Sequence, residues 1–113
     1  MIDQVRPADL AAWIQSRADS APAVVLDVRE PWELQTASVK AEGFELVAIP
    51  MNEIPARMAD LDAARPLAIL CHTGRRSQRV AMFLESNGFT TLANIAGGIE
   101  AWASERDPAV PRY

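Results

Sequence analysis

The chain has 113 residues, of which 50% are hydrophobic and 23% are charged, a composition typical of one globular domain. It contains one cysteine and one histidine, which excludes an internal disulfide and a cysteine-based zinc site. The net charge of −4 disfavours nucleic acid and acidic membranes as partners, and no apolar run is long enough to span a bilayer.

The first residues are acidic and polar, with no basic run ahead of an apolar stretch. We therefore expect no signal peptide and a cytoplasmic location. The first predicted element is a helix that begins at Arg6-Pro7, because proline suits the first helical position. Leu10, Trp13 and Ile14 follow at helical spacing and predict its apolar stripe.

Short apolar strands and helices alternate along the rest of the chain. Strands are predicted at residues 23–28, 46–49, 67–70 and within 89–95, helices at 30–36, 52–61, 77–87 and 97–104, and a loop at 37–45. This alternation predicts one α/β domain over residues 1–113, with a central, mostly parallel sheet of four to five strands and helices on both faces. In such sheets ligands bind beyond the carboxyl ends of the strands.

The only cysteine, Cys71, follows the predicted strand 67–70 and precedes a glycine-containing loop and a helix. The first amides of a helix lack partners inside it and, with the helix dipole, form an anion site that favours a thiolate. The acid-free stretch between residues 62 and 85 adds positive charge through Arg65, Arg75, Arg76 and Arg79. A sulfur ionised in this way is suited to nucleophilic catalysis.

No side chain in the sequence is an evident general base for this cysteine. His72 is its neighbour in sequence, and adjacent residues at the start of a loop can project apart. The predicted chemistry is therefore one in which a thiolate attacks without a proton being removed from it. Sulfur transfer meets this condition, because a thiolate can attack the outer sulfur of thiosulfate and expel sulfite, which leaves a persulfide.

Three segments of the chain resemble the rhodanese family of sulfurtransferases in its single-domain form. They are LDVREPWE (Leu26–Glu33), LCHTGRRS (Leu70–Ser77) and AGGIEAWASE (Ala96–Glu105). The resemblance implies a small α/β domain that moves a sulfane sulfur from thiosulfate or a persulfide donor to a thiol or cyanide acceptor. A protein thiol is a further candidate acceptor, and neither a metal nor an organic cofactor is implied.

The resemblance also implies roles for individual residues. Cys71 is the expected catalytic residue, in a six-residue loop that runs to Arg76, with Ser77 opening the next helix. The candidate substrate-binding residues are His72, Thr73, Gly74, Arg75, Arg76 and Ser77. The candidate structural residues of the first signature, which would tie the end of its strand to neighbouring loops, are Asp27, Arg29 and Glu30.

One segment departs from the family pattern. Family members often carry Gly-His-Ile after the first signature, whereas this chain reads ASVKAEGFELVAIP and places Ser38 about where the histidine would be. The connection through residues 37–45 is also a few residues longer. The departure bears on a structural hydrogen bond and on acceptor docking, and it does not involve Cys71.

Two alternative functions remain open at this stage. A cysteine-dependent phosphatase or arsenate reductase needs an arginine six positions after the cysteine, where this chain has Ser77, while Arg76 falls one position short. A non-catalytic rhodanese-like binding module is the second alternative, although such modules typically lose the cysteine. The sequence names neither the physiological donor and acceptor nor the oligomeric state.

Overall fold

The sheet has five parallel strands, and it lies at the centre of the molecule. The computed structural model describes residues 1–17 and 21–113. In chain order the strands are β1 (Ile2–Val5), β2 (Val24–Asp27), β3 (Glu45–Ala48), β4 (Leu67–Leu70) and β5 (Leu92–Ile95). Their order across the sheet is β1-β5-β4-β2-β3, and all four pairings are parallel. The predicted α/β class and strand number are confirmed.

β1, which is the N-terminal strand and lies at one edge of the sheet, was not among the predicted strands. Among the described residues β1 pairs with β5 alone; Ile2 and Asp3 are half-buried, Gln4 is exposed and Val5 is buried. The central strands β2, β4 and β5 are buried throughout. Continuous apolar runs identify such central strands, whereas an edge strand with Asp3 and Gln4 in its middle lacks that pattern.

In the described ranges four α-helices connect the strands, and a fifth follows β5. They are α1 (Leu10–Arg17), α2 (Pro31–Thr36), α3 (Ile54–Arg57), α4 (Arg75–Ser86) and α5 (Gly98–Glu105), with 3-10 turns at Pro7–Asp9, Met51–Glu53 and Met58–Asp60. The prediction of one continuous helix over 52–61 is wrong, since only residues 54–57 are α-helical there. Pro55 has no amide hydrogen, and its ring would press on the carbonyl of Met51 in a continuous helix.

The two faces of the sheet bury separate apolar clusters. On one face, Val25 of β2 belongs to a cluster with Leu10 of α1 and Trp102 of α5. On the other face, Leu26 belongs to a cluster with Leu84 of α4. Because neighbouring strand residues point to opposite faces, this alternation places helices on both sides of the sheet, as predicted. No helix in the described ranges is long and apolar enough to cross a membrane.

The carboxyl ends of the three central strands meet at one edge of the sheet. Beyond β4 comes Cys71, beyond β2 comes Arg29, and beyond β5 comes the Gly97-Gly98 pair. The three sequence segments that were singled out by their resemblance to one family are therefore neighbours in space at this edge.

Candidate active site

A tight turn, rather than a six-residue loop, links Cys71 to the next helix. Gly74 has φ 101°, a left-handed conformation that glycine adopts readily, and α4 begins at the following residue. The expectation that Ser77 opens the helix is thus wrong, because the reversal at Gly74 brings Arg75, Arg76 and Ser77 into its first turn. A side chain at Gly74 would place its Cβ 3.1 Å from the Gly97 nitrogen.

The sulfur of Cys71 has two polar neighbours in this turn. The Gly74 amide donates a hydrogen bond to Sγ over 3.1 Å, and the Ser77 hydroxyl oxygen lies 3.2 Å from Sγ. Several amides were expected to converge on the sulfur, and in the part of the chain that the structure describes the Gly74 amide is the one that donates to it. Cys71 is only 1% exposed.

The start of α5 holds the backbone of the cysteine turn. The Ile99 amide donates to the Cys71 carbonyl over 2.9 Å, and the Glu100 amide donates to the His72 carbonyl over 3.1 Å. These are first-turn amides, which have no acceptor inside their own helix. The Gly97-Gly98 pair, with φ 82° and 59°, lets the chain enter α5 close to the turn. The segment Ala96–Glu105 therefore holds the cysteine turn in place.

Arg76 forms a two-pronged ion pair with Glu33 of α2. Its two terminal nitrogens donate to the two carboxylate oxygens over 2.7 and 2.8 Å. The Glu33 side chain is 3% exposed and that of Arg76 is 29% exposed. The guanidinium that was predicted to contact substrate is thus occupied by a buried carboxylate. Glu33 lies inside the first signature, but it was not among the predicted site residues.

The donors around Glu33 lower the pKa of its carboxyl to about 2. The hydrogen bonds from Arg76 are the largest cause, burial acts in the opposite direction, and the Tyr113 hydroxyl adds a bond over 2.6 Å. The same pairing raises the pKa of Arg76, while burial and the bond to Glu33 raise the pKa of Tyr113 to about 12. Both members of the ion pair are therefore charged at neutral pH.

The lowered pKa of Glu33 makes the free energy of unfolding depend on pH. The folded-state value lies below the unfolded one, so this stabilisation is present above pH 4.5 and is lost as the pH falls towards 2. Its size is on the order of 3 kcal/mol. Urea unfolding of Glu33→Gln should show lower stability at neutral pH and loss of that share of the acid dependence.

A matched control for this prediction is Glu53→Gln. Glu53 pairs with Arg57 on the surface over 3.4 Å, and both side chains are largely exposed. Exposed pairs contribute little to stability, so the control should keep the acid dependence of the parent protein. An equally steep acid loss in Glu33→Gln would contradict the assignment.

Asp27 and Arg29 form a buried ion pair behind the turn. The Arg29 Nη2 donates to Asp27 Oδ2 over 2.8 Å, and its Nε donates to Oδ1 over 3.0 Å. Arg29 also donates to the Glu33 carbonyl and to the Tyr113 hydroxyl. Glu30 precedes α2 and donates its amide to the Glu33 carboxylate. These contacts connect the first signature to the elements around Cys71.

Besides Glu33, two further residues at this edge were not predicted from the sequence. Tyr113 lies in the irregular tail, and its ring stacks on His72 with centroids 4.1 Å apart. Asn94 lies in β5, where its carbonyl oxygen accepts a hydrogen bond from the buried Ser77 hydroxyl over 2.5 Å. A lone amide in a strand that is otherwise apolar was the available signal, because a buried polar group needs a partner.

The remaining predicted residues lie at the periphery of the turn. Thr73 and Arg75 are exposed, and within residues 1–17 and 21–113 neither side chain makes a hydrogen bond or ion pair. Ser38 is exposed, and its hydroxyl donates to the Leu34 carbonyl in α2 over 2.5 Å. Among the described residues no group of three or more His, Cys, Asp or Glu side chains is arranged to hold a metal ion.

Comparison with known proteins identifies the family. The sequence model of the family described as the rhodanese-like domain matches residues 10–105 of this chain. A sulfurtransferase of Allochromatium vinosum is 30% identical over 106 residues, which cover 94% of this chain and 95% of that protein. The rhodanese-like/PpiC domain-containing protein 12 of Arabidopsis thaliana is 32% identical over 116 residues, and these cover 99% of this chain but 38% of the relative.

A solved structure agrees with these matches. The crystal structure of a rhodanese-related protein from Thermoplasma volcanium superposes with a TM-score of 0.77 at 30% identity, covering 98% of this chain and 99% of that one. The family match, the sequence identity and the shared fold all extend over the cysteine turn and the two signatures around it. The chain therefore belongs to the rhodanese-like family.

Proposed function

We propose that this protein is a rhodanese-type sulfurtransferase in which Cys71 carries a sulfane sulfur as a persulfide. The observation that carries the proposal is the position of Sγ. This atom lies beyond the carboxyl end of β4 and accepts a hydrogen bond from the Gly74 amide at the start of α4. Membership of the rhodanese-like family supports the same reaction class.

With thiosulfate as donor, the reaction has two balanced steps. The Cys71 thiolate attacks the outer sulfur, an Sγ–S bond forms, and the sulfur–sulfur bond of thiosulfate breaks with its electron pair leaving on sulfite. An acceptor such as cyanide or a thiolate then attacks the terminal sulfur. The Sγ–S bond breaks, and its electron pair restores the Cys71 thiolate.

The start of α4 supports binding of an anion beside the sulfur. The amides of its first turn have no acceptors within the helix, and the helix dipole favours negative charge there. We assign the exposed Arg75 to contact with the anionic donor, with His72, Thr73 and Gly74 lining the turn. Arg76 instead fixes the turn to α2 through Glu33.

The burial of Cys71 limits how substrates reach it. Because Cys71 is only 1% exposed, we infer that neighbouring side chains must move before a donor can reach Sγ. The donors that fit are thiosulfate, a small persulfide or a protein persulfide, and the acceptors are cyanide or a thiol, including a protein thiol.

A lone cysteine of this kind suits a reducing cytoplasm. The contacts of β1 and Tyr113 with this edge support a domain extending over residues 1–113.

The geometry favours sulfur transfer over phosphoryl transfer. An oxyanion clamp would need an arginine at the sixth position after the cysteine, and that position is Ser77, whose hydroxyl is bound to Asn94. Arg76, one position earlier, is held by Glu33. Because Arg76 and Ser77 are both bound to other side chains, the turn is better suited to hold a single sulfur atom than a tetrahedral oxyanion.

Two assays run side by side test the proposal. The protein should produce sulfite and thiocyanate from thiosulfate and cyanide, and a persulfide donor should replace thiosulfate. Hydrolysis of an aryl phosphate by the same preparation should remain at background. Phosphate release without sulfur transfer would overturn the proposal in favour of a phosphatase, and inactivity with every sulfane donor would favour a binding module.

A further inference from the structure

The buried hydrogen bonds behind Cys71 have a defined direction, which is set by a backbone carbonyl. The Gly74 carbonyl can only accept, and it lies 3.2 Å from the Asn94 side-chain nitrogen. If the Asn94 side-chain amide were flipped, its oxygen would face the Gly74 carbonyl oxygen, and neither atom could donate a hydrogen bond. The Asn94 nitrogen also donates to Gln4 of β1 over 2.9 Å, so the Asn94 side-chain oxygen must face Ser77.

In this orientation the Ser77 hydroxyl must donate its only proton to Asn94. The Asn94 oxygen accepts it over 2.5 Å, in a site where Ser77 is fully buried and Asn94 is 4% exposed. The oxygen of Ser77 therefore presents lone pairs, not a proton, to the Cys71 sulfur at 3.2 Å. A lone pair in that position accepts a hydrogen bond from a thiol and repels a thiolate.

We propose that the Ser77 hydroxyl oxygen, oriented by Asn94, accepts a hydrogen bond from the Cys71 thiol and thereby restrains the reactivity of the sulfur. The inference rests on the proposed function, in which Cys71 is the nucleophile. In this arrangement the Gly74 amide and the α4 N-terminus favour the thiolate, whereas Ser77 opposes it. Asn94 is a positioning residue, because it touches Ser77 and not the reacting sulfur.

Other ionisable groups surround the cysteine turn, and the test must leave them in place. They are His72, Arg75 and Arg76 on the turn and α4, Glu33 on α2, Asp27 and Arg29 after β2, Glu100 on α5, and Tyr113. Most are engaged, in the pairs Arg76–Glu33, Arg29–Asp27 and Glu100–Arg112 and in the His72–Tyr113 stack. Replacing Ser77 by alanine removes none of them.

The test measures the rate of alkylation by iodoacetamide against pH. Because Cys71 is the only cysteine, the alkylated fraction read by mass spectrometry reports this thiol alone. Ser77→Ala should move the midpoint of the profile to lower pH by about half a unit or more, about a threefold faster reaction on the rising limb. A hydroxyl that donated to the thiolate would give the opposite shift.

Ser86→Ala is the matched control, since Ser86 lies on the same helix and donates to the Met82 carbonyl on the surface. Its midpoint should equal that of the parent protein. An unchanged or higher midpoint in folded Ser77→Ala overturns the proposal. Alkylation needs no sulfane donor, so this result is independent of whether the protein transfers sulfur.

Asn94→Ala keeps the proposal testable if Ser77→Ala does not fold. Removing Asn94 frees the Ser77 proton to turn towards the sulfur, so the midpoint should fall at least as far as in Ser77→Ala. If the hydroxyl already donated to the sulfur, loss of Asn94 would leave the midpoint in place. A fall supports the proposal, and an unchanged or raised midpoint contradicts it.

Discussion

Cys71→Ser is expected to abolish sulfur transfer while the fold survives. A serine hydroxyl at this position is not ionised near neutral pH, and in the described part of the chain no carboxylate or imidazole hydrogen-bonds to this position to act as a base. Transfer from thiosulfate to cyanide should fall at least about a thousandfold. Serine is close to cysteine in size and can accept the Gly74 amide and contact Ser77, so thermal unfolding should change little.

Cys71→Ala separates the role of the sulfur from that of any polar group at this position. It should be as inactive as the serine variant, because neither carries a thiolate. The readouts are thiocyanate formed per minute and the unfolding midpoint, measured on the same preparations. Transfer close to that of the parent protein in either folded variant would refute the role of Cys71 as sulfur carrier.

Gly98→Ala is expected to be the most damaging substitution outside the cysteine itself. A Cβ at Gly98 would lie 2.4 Å from the His72 carbonyl oxygen and 2.5 Å from that of Cys71. Both carbonyls are fixed by amides at the start of α5, so neither yields without breaking a hydrogen bond. We expect a loss of about 3 kcal/mol or more in unfolding free energy, and loss of activity through displacement of the turn.

Gly43→Ala supplies the matched control for backbone conformation. Gly43 has φ 82° and Gly98 has φ 59°, so both have a left-handed backbone that alanine rarely adopts, but no atom lies within 4 Å of the Cβ position at Gly43. Its cost should be limited to the left-handed conformation, about 1–2 kcal/mol, with activity retained. Equal losses for the two variants in urea unfolding would show that the close approach of α5 to the cysteine turn is not what stabilises the site.

The elements nearest the sulfur were predictable because their signals are local. The apolar run LAIL identified β4 without error in its bounds, and Cys71 directly after it placed the site at the carboxyl edge. Gly74 marked the turn, but the number of residues before α4 depends on its left-handed conformation, which a glycine in the sequence permits and does not require. The helix start was therefore misplaced by two residues.

The partners of the turn were harder to predict because they come from distant parts of the chain. Arg76 was assigned to substrate on its chemistry, and only the fold brings Glu33, 43 positions away, to its guanidinium. The same holds for Asn94 beside Ser77 and for Tyr113 against His72. A planar fork that suits an oxyanion suits a buried carboxylate equally well, so residue type alone does not decide between the two roles.

The central claim is that the sulfur of Cys71 itself carries the transferred sulfur, and peptide mass spectrometry tests it most directly. After treatment with a sulfane donor and removal of the excess, the peptide containing Cys71 should gain one sulfur atom. Addition of cyanide should return that peptide to its original mass. An unmodified thiol in a preparation that transfers sulfur, or a sulfur found on any other peptide, would contradict the account.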